Sequence, residues 1–123
     1  MRLRMFVAIA ALTASFGCGS SYSPSAPTTG NGGGSGTAVS IVNGARTMTT
    51  TAYAPNPVNI SAGGSVTWMN NDSTTHNSTA DDNSWGSGSI APGASYTRTF
   101  ASAGTFTYHC TIHPGMVGTV VVK

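Results

Sequence analysis

At 123 residues the chain has room for one domain, and the part beyond its first few dozen residues is long enough only for a small β-fold, which excludes a large substrate cleft. Its formal charge of +2 overstates the mature protein, because Arg2 and Arg4 lie in a leader while Arg46, Arg98 and Lys123 are balanced by Asp72, Asp81 and Asp82. A nearly neutral chain without a basic stripe has no counterion release to drive nucleic-acid binding, so no nucleic acid is expected as a partner, and docking must rest on shape and apolar contact.

Residues 1–17 read as an export signal: two arginines, an apolar run over 5–12, then small residues. The run is too short to span a bilayer permanently. Ala14-Ser15-Phe16-Gly17-Cys18 resembles the lipobox of bacterial lipoproteins, in which Gly precedes a Cys that becomes the acylated N-terminus, although Ser15 stands where Leu is usual. Residues 1–18 are therefore expected to be an export signal of lipoprotein type, with Cys18 as the lipidation site and ordinary cleavage near the same point as the alternative. Residues 19–36 are Ser, Pro, Thr and Gly with almost nothing to bury, ending in Gly30-Asn31-Gly32-Gly33-Gly34-Ser35-Gly36. That composition makes a flexible linker, suited to a membrane tether through lipidated Cys18 in the bacterial periplasm or cell envelope.

From residue 37 to 123 the texture changes to short β-branched and aromatic runs punctuated by Gly, Pro, Asn and Ser. Strands are predicted over 38–42, 58–60, 65–69, 95–100, 104–110 and 118–123, with turns at 62–64, 91–93 and 102–104. No segment beyond the leader holds a helical period over ten residues, so the domain is all-β with the spacing of a sandwich. Alternation places Phe106, Tyr108 and Cys110 on one strand face and Thr105, Thr107 and His109 on the other. Val66 and Trp68 share a core face. Arg98 fits poorly, because it falls in phase with Tyr96 and Phe100, and an unpaired buried Arg would be unfavourable; a bulge, an edge position or a snorkelling side chain could resolve it.

Two cysteines in an exported chain ordinarily suggest a disulfide. Here Cys18 ends the leader, while Cys110 lies in Tyr108-His109-Cys110-Thr111-Ile112-His113-Pro114-Gly115-Met116, which holds three metal-ligand types within seven residues. The two have different roles. A thiolate and an imidazole two residues apart can reach one ion from a tight turn, and a thioether three further on can approach it along another axis. The missing ligand must come from elsewhere, and His76 is the only histidine outside this run. A His₂Cys plane with a weak axial Met is the donor set of a blue-copper electron-transfer centre, so one copper ion is expected on His76, Cys110, His113 and Met116. Structural zinc sites want four strong ligands, for which Met is a poor choice.

These residues resemble a cupredoxin of the plastocyanin, pseudoazurin and amicyanin group. The likeness runs from Tyr53-Ala54-Pro55-Asn56-Pro57-Val58 through Gly64-Ser65-Val66-Thr67-Trp68 and Asn70-Asn71-Asp72 to the closing loop, whose Cys110-x-x-His113-x-x-Met116 spacing is the short form similar to that of amicyanin. The resemblance implies a Greek-key β-sandwich and one-electron transfer between redox partner proteins, by a monomer that is not an enzyme. It implies that Asn77 and Thr111 tie the two ligand loops together, and that the edge of His113 is exposed in an apolar patch supplied by Ile112, Pro114, Gly115 and Pro55. His109 stands where plastocyanin-like proteins carry an exposed aromatic used as a second electron port. The alternative function is periplasmic copper storage or delivery, for which exposed, exchangeable Met or His clusters would be usual.

Overall fold

The computed structural model describes residues 36–123. The expected leader and linker up to residue 35, with Cys18, lie outside the described residues. Eight strands and one short helix succeed one another in chain order: β1 (Gly36–Ile41), a 3-10 helix (Ala45–Thr47), β2 (Tyr53–Ala54), β3 (Val58–Ile60), β4 (Ser65–Asn70), β5 (Thr79–Ala80), β6 (Ser95–Thr99), β7 (Gly104–His109) and β8 (Val117–Val122). They form two four-stranded sheets, ordered β2-β1-β4-β6 and β3-β8-β7-β5. The β1/β4 and β3/β8 pairs are parallel and the remaining pairs antiparallel.

The strand sequences explain the layering. In β4 the residues Val66 and Trp68 are fully buried while their neighbours Ser65 and Thr67 bond outward to Thr99 and Thr97 hydroxyls at 2.8 and 2.7 Å. In β8, Val120 and Val122 point into the core. The two inner faces meet on an aromatic cluster in which the Trp68 ring lies 5.4 Å from that of Tyr108 and 5.5 Å from that of Trp85. Aromatic surface dominates the apolar burial here, and edge-to-face packing adds to it. Gly118 sits opposite Tyr108 in the β7/β8 register, and a Cβ there would overlap the phenol ring. Glycine is thus required where the Tyr108 ring crosses the neighbouring strand.

The predicted strands are all present, with boundaries shifted by a residue or two. The first begins at Gly36, the last residue assigned to the linker, and ends at Ile41. The strand predicted to run through Cys110 stops at His109, and that through Phe100 stops at Thr99. β2 and β5 are additions to the predicted set, because two residues are too few to show a period. The turn glycines Gly63 and Gly93 have φ of 84° and 77°, the left-handed conformation that favours glycine. Arg98 is half-buried on the inner side of edge strand β6, its guanidinium carbon 5.2 Å from the Trp85 ring centre and 5.5 Å from that of Phe100. Stacking on aromatic faces, with the chain running along apolar surface, accounts for the position that sequence alternation could not place.

Candidate metal centre

Two loops at one end of the sandwich carry the centre. The first leaves β4 and delivers His76, whose backbone exchanges hydrogen bonds with Ile90 at 3.2 and 2.8 Å. The second joins β7 to β8 and carries Cys110, His113 and Met116. This loop is closed by its own backbone: Met116 N–H donates to His113 O and Cys110 N–H to Met116 O, both at 3.0 Å. The short spacing therefore folds into a tight turn that returns the Met116 backbone to that of Cys110.

His76, Cys110 and Met116 are fully buried, and His113 is half-buried. Cys110 Sγ lies 3.9 Å from His76 Nδ1 and 4.0 Å from His113 Nδ1, and the two nitrogens are 3.2 Å apart. A point equidistant from the corners of that triangle is about 2.2 Å from each, matching typical metal–nitrogen and metal–sulfur bond lengths. One thiolate, two imidazoles and a buried thioether are soft-to-intermediate donors, the set that suits copper. Histidine, cysteine and histidine at these three positions are thus brought together as a metal-sized cluster among the described residues.

The surroundings hold this arrangement rigidly. Asn77 N–H points at Cys110 Sγ at 3.4 Å, and the Asn77 side chain both donates to Thr111 Oγ1 at 2.6 Å and accepts from Thr111 N–H at 2.8 Å. Tyr53 donates its hydroxyl to Asn77 O at 2.6 Å, and burial pushes the phenol well above its usual range, so it stays protonated and donating. His109 faces away from the cluster and bonds through Nδ1 to Asp81 at 2.6 Å on the surface. Ile112, Pro114 and Gly115 are exposed around His113, as is Pro55.

Sequence reasoning missed the part played by Asp72. His76 Nε2 lies 2.8 Å from Asp72 Oδ2, with both side chains essentially excluded from solvent. The hydrogen bond from His76, then that from Gly44 N–H, holds the Asp72 carboxyl well below the usual carboxylate range. A carboxylate four residues before a ligand histidine was the available signal, but on a loop that spacing specifies no contact.

The comparisons with known proteins agree with this geometry. The family model for copper binding proteins, plastocyanin/azurin family, matches residues 39–123. Plastocyanin of Scenedesmus fuscus is 38% identical over 84 residues, covering 58% of this chain and 86% of its own length. Amicyanin of Paracoccus denitrificans is 34% identical over 76 residues, covering 58% of each chain. Among solved structures, a purple cupredoxin from Nitrosopumilus maritimus superimposes with a TM-score of 0.67 at 31% identity, over 71% of this chain and 99% of its own. A Cu(I) form of an amicyanin variant gives a TM-score of 0.60 at 30% identity, over 72% and 82%. Fold and site together define a cupredoxin. The chain belongs to the plastocyanin/azurin family of copper-binding proteins.

Proposed function

We propose that the protein is a one-electron carrier with a single type 1 copper ion held by His76, Cys110, His113 and Met116. The observation that carries this reading is the 3.9, 4.0 and 3.2 Å triangle of sulfur and two nitrogens, built in a buried, hydrogen-bonded setting. Copper bound there would supply a one-electron couple between Cu(I) and Cu(II). The chain contributes a fixed frame: Asn77 and Thr111 lock the loops, and the short 110–116 turn limits movement of three donors at once. A frame that resists change on either side of the couple keeps reorganisation small, which is what fast transfer requires. The electron-carrying plastocyanin and amicyanin relatives support the same reading.

A carrier fits better than an enzyme or a delivery protein. Catalysis at a metal needs an open position for substrate, whereas His76, Cys110 and Met116 are fully buried. Delivery calls for donors that a recipient can reach, and only His113 is accessible. Partner docking is assigned to the face around His113, with exposed Ile112 and Pro114 beside it. The protein would work as a monomer that meets redox partner proteins through weak apolar contact. Residues 1–18 would direct export to the periplasm or envelope, residues 19–36 would act as the linker, and Cys18 would carry the lipid.

Voltammetry of the copper-loaded protein tests the function. A reversible one-electron wave with copper retained in a mild chelator supports the carrier, and rapid loss of copper to that chelator supports storage or delivery instead.

A further inference from the structure

We infer that Asp72 fixes the proton of His76 on Nε2 and thereby keeps Nδ1 free to face the metal, making Asp72 a positioning residue of the centre. The inference deepens the copper reading and rests on it for its second half. Two backbone N–H groups already point at Asp72 Oδ1, so the side chain faces His76 as an acceptor, Nε2 donates across the 2.8 Å contact with the Thr74 hydroxyl 3.0 Å away, and in the neutral ring Nδ1 is then the bare nitrogen. Nδ1 is the atom that lies 3.9 Å from Cys110 Sγ and 3.2 Å from His113 Nδ1.

The carboxylate is itself locked in orientation. Asp72 Oδ1 accepts Ser73 N–H at 2.7 Å and Gly44 N–H at 3.1 Å, which leaves Oδ2 for His76 and for the Thr74 hydroxyl at 3.0 Å. The loop beneath is pinned by fully buried Asn70, which accepts Asp72 N–H at 2.9 Å and donates to Thr74 O and Ile90 O at 2.8 and 2.9 Å. Ile90 in turn brackets His76 through its backbone. By contrast, the Asp81–His109 pair has side chains 49% and 29% exposed, and water can replace either partner there. The Asp72 pair, at 3% and 0%, has no such alternative.

This arrangement makes a sharp forecast for the isostere. In D72N the two backbone donors from Ser73 and Gly44 demand an acceptor at the Oδ1 position, so the amide oxygen goes there and the amide NH₂ faces His76. Nε2 must then accept, and the histidine proton moves to Nδ1, where it blocks the metal. A carboxylate that only braced the loop would leave the proton where it was. The negative charge also favours the more positive metal state, so its loss should raise the reduction potential.

The test is nitrogen-resolved NMR of the His76 ring in the metal-free protein near neutral pH, with copper affinity measured by competition. Wild type should carry the proton on Nε2. D72N should carry it on Nδ1, with the β-sheet circular dichroism retained and copper affinity lowered about 10- to 100-fold. D72A removes the acceptor without offering a donor, and should give mixed tautomers and a smaller loss. A wild-type His76 protonated on Nδ1, or a D72N protein with the Nε2 proton and wild-type affinity, overturns the inference. Wild type that takes up no copper, while D72N still inverts the tautomer, would support the positioning of His76 and refute the copper reading.

Discussion

Asn77 and Thr111, 34 positions apart, are joined by two hydrogen bonds of opposite sense, the Asn77 amide donating to the Thr111 hydroxyl and its carbonyl accepting the Thr111 backbone N–H. The pair closes the His76 loop onto the Cys110 loop beside the sulfur. N77A removes both bonds and should destabilise the metal-free protein by about 1–3 kcal/mol, whereas T111V removes one and should lose about 0.5–1.5 kcal/mol. Denaturant unfolding of both variants measures the difference. Equal losses would mean that the backbone bond to Thr111 contributes nothing.

The fit of Gly118 beneath Tyr108 gives a second expectation. G118A places a methyl group into the Tyr108 ring, so Tyr108 or β8 must move, a strain of about 1–3 kcal/mol. G86A is the control, since a Cβ there meets the Thr79 side chain at an ordinary 3.5 Å. Thermal unfolding that leaves G118A as stable as G86A would contradict the packing.

Much of the fold and of the centre is legible in the chain. The alternation of Phe106, Tyr108 and Cys110 against Thr105, Thr107 and His109 places the thiol inward because strand period 2 is a backbone property. The ligand spacing is legible because three donor types fall in one short loop. Arg98 is not, since its stacking partner Trp85 lies on no regular strand, and nothing in sequence announces which aromatic face a guanidinium will cover. Asp72 escapes notice for a similar reason: a contact across an irregular loop leaves no period. The two-residue strands β2 and β5 depend on partners far along the chain rather than on their own composition.

Association with redox partners should depend only weakly on ionic strength, because the charges of the domain are few and balanced. I112D or P114D, at the exposed rim of His113, should slow electron transfer to a partner more than added salt does. Stopped-flow kinetics across a salt series provides the measurement. A steep salt dependence with both variants unaffected would move docking to another face.

The outward Asp81–His109 pair predicts a pH effect of known sign. Hydrogen bonds from Thr107 and then His109 lower the Asp81 pKa in the folded state. A lowered pKa contributes stability that is present above the unfolded value, about 3.9, and is lost as pH falls through the folded one. The side chain is half exposed, so solvent screens the effect and it should be small. D81N should therefore match wild type in acid and be slightly less stable near neutrality. Chemical unfolding at the two pH values checks this, and a D81N protein destabilised most in acid would reverse the sign.

The most direct test of the copper centre is the visible spectrum of the copper(II)-loaded protein, with C110S beside it. Cys110 is the one free cysteine among the described residues and lies at a corner of the donor triangle. Wild type should show an intense thiolate-to-copper absorption in the visible that disappears in C110S, while the far-ultraviolet signature of the β-sandwich is kept. A wild-type protein that binds copper without that band, or a C110S protein that retains it, would contradict the account.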